Sequence, residues 1–114
     1  MSAINPIGWV QTAAQTNAAA TATQPAPAAP VVAMSPKKNV VFGVDASFSS
    51  APAAPVLLQI KDGGTVIWQD YITGTFTRQF IRGINATPGN AVSAVLAAAG
   101  STIIGAVNID GCVL

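Results

Sequence analysis

The chain has 114 residues, enough for one domain with a modest core, and 51% of them are apolar. Only 8% are charged, against about a quarter in an ordinary soluble domain. A net charge of +1 offers no electrostatic pull towards nucleic acid or anionic lipid. Histidine and glutamate are absent and Cys112 is the sole cysteine. Those absences exclude an intrachain disulfide, a multi-cysteine metal centre and a histidine-based triad. So sparse a charge suits a chain that covers much of its surface with partners, and a stable oligomer is expected, three subunits by preference.

In chain order, residues 1–36 differ from everything after them. Ile4, Ile7, Trp9 and Val10 form a short apolar cluster, followed by the low-complexity run QTAAQTNAAATATQ and then QPAPAAP. The alternating prolines favour extended, semi-rigid backbone, and a stretch like this cannot bury enough surface by itself to fold. The expectation is an extended N-terminal arm held by a partner subunit, with Ile4, Ile7, Trp9 and Val10 as its contacts. The alternative is that the arm folds back over its own domain. No secretory signal is expected, because the start is neither basic nor continuously apolar.

A globular domain is expected over 37–114. In Asn39–Phe48, Val40, Phe42, Val44, Ala46 and Phe48 alternate with Val41, Gly43, Asp45 and Ser47, which is strand period. The prolines of Ser49–Pro55 make a linker. Val56–Ile72 then reads as a β-hairpin across Asp62-Gly63-Gly64, with Val56, Leu58 and Ile60 on one face. Phe76 and Phe80 share a face with Arg78 and Arg82 in an expected edge strand or a bulge that re-aims one end, and Ile84–Asn90 has loop composition. Ala91–Ala98 and Thr102–Ile109 are expected to form a second hairpin rather than a membrane span, since Ser93, Gly100, Ser101, Thr102, Gly105 and Asn108 interrupt the apolar run. Six or so short strands between turn signals predict an all-β antiparallel sandwich, Ig-like or jelly-roll-like.

No constellation in the chain carries catalysis. Asp45, Asp62, Asp70 and Asp110 are the only acids, with no spacing that suggests acid/base work, and two of them adjoin glycines in turns. No cofactor or metal ligand set is present, and an enzyme is the least supported class. Trp68 and Tyr71 could stack on a sugar, with Asn85 and Asn90 in the neighbouring loop, although packing is the commoner role of aromatics on a hairpin.

The run NVVFGVDASFSSAPAAPVLLQIKDGGTVIWQDYITG, the F-x-R-x-F strand, the PGNAV loop and LAAAGSTIIGAVNIDG resemble small β-sandwich virion proteins of tailed bacteriophages, over Asn39–Leu114. The resemblance implies a decoration or cement protein on the outer capsid, made in the host bacterial cytoplasm. Its partners would be the major capsid protein and two further copies of itself in a homotrimer, without nucleic acid or membrane. A head fibre or spike that recognises a host glycan through Trp68, Tyr71, Asn85 and Asn90 is the alternative. A pilin-like or adhesin subunit would need an export signal.

Overall fold

The computed structural model describes residues 7–28 and 36–114. Eight β-strands run in the order β1 (Ile7–Thr16), β2 (Ala20–Gln24), β3 (Asn39–Phe48), β4 (Val56–Asp62), β5 (Thr65–Ile72), β6 (Phe76–Asn85), β7 (Val92–Leu96) and β8 (Ile104–Val113). They form two four-stranded sheets, one ordered β1-β8-β3-β6 and the other β2-β7-β4-β5. All pairings are antiparallel. The fold class read from the sequence is therefore the observed one.

The topology follows from one local event. Gly63-Gly64 closes the β4–β5 hairpin, with Asp62 opposite Thr65. Gly63 has φ +60 and Gly64 is not in the left-handed region, the φ pattern of a type II′ turn. Outward from that turn, β3 pairs with β6, β2 with β7 and β1 with β8. The chain is thus folded in half about Gly63-Gly64, and the doubled ribbon is wound over itself. β3–β8 and β4–β7 pairings close each layer. Eight strands in this order are a jelly roll, which selects between the two topologies that the sequence left open.

The alternation read in the sequence fills the space between the sheets. Val56, Leu58 and Ile60 of β4 and Val92, Ala94 and Leu96 of β7 face Val41, Val44 and Ala46 of β3 and Val107 and Ile109 of β8. Each fully buried Leu or Ile contributes about 1.5–3 kcal/mol. Gly105 has no side chain where the Leu96 methyl approaches from the other layer, at 3.0 Å from where a Cβ would stand. Cys112 is buried, and burial raises its thiol pKa, so it serves as a small hydrophobe.

Three expectations need correcting. First, Lys37 is not where the sandwich begins. β1 and β2 lie in the stretch expected as an arm, and they are edge strands of the two sheets. Ala20 and Ala22 are buried while Thr21 and Thr23 are exposed, so β2 has a strand's inner and outer faces built from small residues. Second, β7 and β8 are not a hairpin. They sit in opposite layers, and the Gly100–Thr102 turn carries the chain across the sandwich. Third, a bulge between Val41 and Gly43 breaks the alternation of β3. Val41 points into the core, while Phe42 stays 38% exposed.

The turn gives a direct test. Gly63→Val should cost about 1–3 kcal/mol, because a β-branched residue is strained at φ +60 and its Cβ would stand 3.2 Å from the Asn90 amide nitrogen. Gly64→Val meets nothing within 4 Å and should be nearly neutral. Denaturant titration of both variants checks the difference, and equal losses would contradict the turn type.

Candidate functional site

Of the four residues expected to bind a partner, the structure describes the side chains of Trp9 and Val10, and these face opposite ways. Ile4 lies outside the described residues, and Ile7 opens β1 opposite Val113. Trp9 is half-buried and packs on the protein's own core, directly opposite Gly111 of β8. Glycine is required there, because a Cβ on Gly111 would stand 2.7 Å from the Trp9 ring and would overlap the Val40 carbonyl. The indole Nε1 is buried without a hydrogen-bond partner. Strand period then turns the next residue, Val10, to the outside, where it is 66% exposed.

The aromatic pair considered for sugar stacking is also split. Trp68 packs inward at the side of the sandwich where β5 lies over β6, edge-on to Phe80 with ring centroids 5.6 Å apart and beside Phe76 at 6.0 Å. Arg78 covers the Phe80 ring at 5.9 Å. Tyr71 is 63% exposed and faces the other way. Asn85 and Asn90 lie at the end of the molecule that holds the Gly63-Gly64 turn.

Asn90 has structural work at that end. Asp62, the last residue of β4, accepts hydrogen bonds from Thr87 N (2.9 Å), Thr87 Oγ1 (2.7 Å) and Asn90 Nδ2 (3.0 Å). The fully buried Asn39 amide donates to the Asn90 and Pro25 carbonyls, tying together the starts of β3 and β7 and the end of β2. Burial by itself would raise the Asp62 pKa, but the three hydrogen bonds outweigh it and hold the carboxyl below the ordinary 3.8. A depressed folded pKa contributes stability that is present above the unfolded value and is lost as pH falls through the folded one. Acid titration should therefore release the 86–91 loop from β4 below about pH 3.8. Asp62→Asn should remove that part of the acid dependence, as read from denaturant midpoints at neutral and acid pH.

Another set of residues, Phe80 again among them, gathers where β3 loses register with β6 and β8. Phe42, Gly43, Gln79, Phe80, Ile81 and Asp110 line a recess of about 290 Å³. Asp110 places its carboxylate over Gly43, which has no Cβ to exclude it. Ile81 is 96% exposed, where β6 runs out of register with β3. Val10 pairs with Asp110 on the same face. Val10, Phe42 and Ile81 thus form an apolar rim around one carboxylate. The sequence did hold a signal for Ile81, an isoleucine alternating with Phe80 and Arg82 on an edge strand, but strand period by itself gives it no role. A second recess, lined by Phe48, Ser50, Ala51, Gly74 and Thr75, contains no titratable group. Among the described residues no cluster of metal-ligating side chains gathers, and no helix is long and apolar enough to cross a membrane.

No family model and no curated protein matches this chain. Among solved structures, a chain of the acidic stable capsid of Helicobacter pylori bacteriophage KHP30 has the same fold. Its TM-score is 0.55 at 10% identity, over 97% of this chain and 94% of that one. The CBM36-1 domain of a multidomain xylanase from the hindgut metagenome of Trinervitermes trinervoides gives a TM-score of 0.48 at 14% identity, over 92% and 95% of the two chains. The likeness of fold to the phage chain thus extends over nearly the whole of both chains.

Proposed function

We propose that this protein is a structural component of a bacteriophage virion. It binds the outside of the capsid as a decoration or cement protein and stabilises the junctions between capsid subunits. The observation that carries this reading is the end-to-end likeness of fold to a chain in a phage capsid. The charge-poor composition and the virion-like sequence pattern of Asn39–Leu114 support it. The partner is the major capsid protein, and the contact face is the rim of Val10, Phe42 and Ile81. The mechanism needs no chemistry: apolar area buried across a junction stabilises the assembled state by mass action, since the protein binds it and not the separated subunits.

The test uses particles of the phage that encodes this sequence, prepared without the protein. They should release DNA at a lower temperature than complete particles, and adding the purified protein back should restore the difference. Ile81→Gln combined with Val10→Gln, which adds no charge beside Asp110, should weaken co-sedimentation with those particles about tenfold or more while leaving the melting temperature of the free protein nearly unchanged, because both side chains are exposed. Binding unaffected by the pair would move the contact elsewhere. Particles that neither contain the protein nor take it up would end the virion reading, and binding to host glycans by the isolated domain would favour the fibre or spike.

A further inference from the structure

The two sheets expose four edge strands, β1 and β6 in one and β2 and β5 in the other. An unprotected edge is a template for pairing with another chain, and folded proteins blunt their edges with charge, bulges, proline or shortness. Three of these edges are blunted in such ways. β6 carries Arg78 and Arg82 and loses register with β3 beside Gly83, which has φ +73. β5 carries Asp70 and a register shift against β4. β2 has only five residues and runs into Pro25. β1 has none of these devices. It is ten residues long, IGWVQTAAQT, without charge, proline or bulge, and its register with β8 is unbroken from Ile7 to Thr16. Among the described residues nothing pairs with its outward edge, since β2 continues in the other layer and pairs with β7.

We propose that β1 pairs with β1 of a second copy of this chain, antiparallel about a two-fold axis through Thr12. Residues directly opposite in an antiparallel pair share a face, so a two-fold must centre on a residue and not between two. Centred on Thr12, the overlap runs the length of the strand: Thr12 meets its own counterpart, Val10 meets Ala14, Gly8 meets Thr16, Gln11 meets Ala13 and Trp9 meets Gln15. Every pair is neutral, and a Thr–Thr pair is among the favourable cross-strand combinations. The result is one eight-stranded sheet across two subunits, built on the closed two-fold symmetry commonest among soluble oligomers. This is a pair where the family resemblance implies three subunits. The inference is independent of the capsid reading, but it places both copies of the Val10, Phe42 and Ile81 rim on one continuous face.

The experiment is a charge swap at Thr12, which is exposed. Wild type at tens to hundreds of micromolar should sediment as a dimer. Thr12→Lys places two ammonium groups opposite each other across the axis and should weaken association by about tenfold or more. Thr12→Glu should do the same. Mixing the two variants should restore the dimer as a heterodimer, which no effect on the fold of one subunit could mimic. Hydrogen exchange in a concentration series should show alternate β1 amides gaining protection as the dimer forms. A wild-type monomer, a trimer, a Thr12→Lys protein that associates as before, or a mixture that stays monomeric would each overturn the proposal.

Discussion

Gly111→Val should lower the stability of the protein by about 3 kcal/mol or more, a large share of the 5–15 kcal/mol typical of a whole domain. Its φ is not in the left-handed region, so the reason is space. Gly111 lies between Trp9 of β1 and Val41 of β3, and any Cβ would overlap the Val40 carbonyl and press on the Trp9 ring. The carbonyl belongs to a central strand and cannot move without breaking the β3–β8 ladder. The ring is a large side chain by which β1 covers the core. Gly111→Ala should already show much of the loss, with a shift in tryptophan fluorescence as Trp9 leaves its seat. Denaturant titration with fluorescence detection measures both effects. A Gly111→Val protein as stable as wild type would mean that Trp9 does not pack against β8.

The parts of the fold that were legible in the sequence are those decided within a few residues. The β4–β5 hairpin could be read because alternation on both sides and the Asp-Gly-Gly turn agree with each other. The buried sets of β4 and β7 follow from period alone. β1 and β2 could not be read so easily. Their inward positions include Ala13, Ala20 and Ala22, which give little hydropathy contrast with the threonines and glutamines around them. What makes them strands is a partner nearly the whole chain away, β8 for β1 and β7 for β2, and strand formation depends on such neighbours more than on local propensity. The β7–β8 error has a related cause. A Gly-Ser-Thr reversal looks the same in sequence whether the chain returns beside its own strand or crosses to the other sheet.

The candidate site was less legible than the fold, for a physical reason. A binding face without chemistry consists of apolar residues in the polar phase of strands, and its signal is the phase itself. Phe42 illustrates this. The sequence period assigns it to the core with Val40 and Val44, but the bulge reverses its neighbours and leaves it at the rim of the Asp110 recess. Trp9 and Val10 are one apolar cluster in the sequence, yet adjacent residues of a strand face opposite ways, so one serves the core and the other the surface. Trp68 went inward because β6 offers Phe76 and Phe80 to pack on, a pairing fixed by the β3–β6 ladder and not by the hairpin that carries Trp68.

Deleting residues 1–36 should abolish cooperative folding, the reverse of what a separable arm would do. Without β1 and β2 each sheet loses an edge strand, and β8 and β7 lose the strands that pair along their lengths. The cover that Trp9, Ala13, Ala20 and Ala22 give to Val107, Ile109, Ala94 and Leu96 goes with them. Trp9→Ala alone should cost about 2–4 kcal/mol, towards the lower part of the range for large-to-small core changes because the ring is only half-buried. The deletion removes that contribution together with two ladders, more than a domain of this size has to spare. Melting curves and near-ultraviolet circular dichroism of wild type, Trp9→Ala and the deletion should show a graded loss ending in a chain with no sharp transition. A synthetic peptide of residues 7–28 should restore the transition when added in excess, since it supplies both missing strands and the turn that joins them. If the shortened chain melts within a few degrees of wild type and ignores the peptide, β3 to β8 form a sufficient core. In that case the first two strands merely clasp a finished domain.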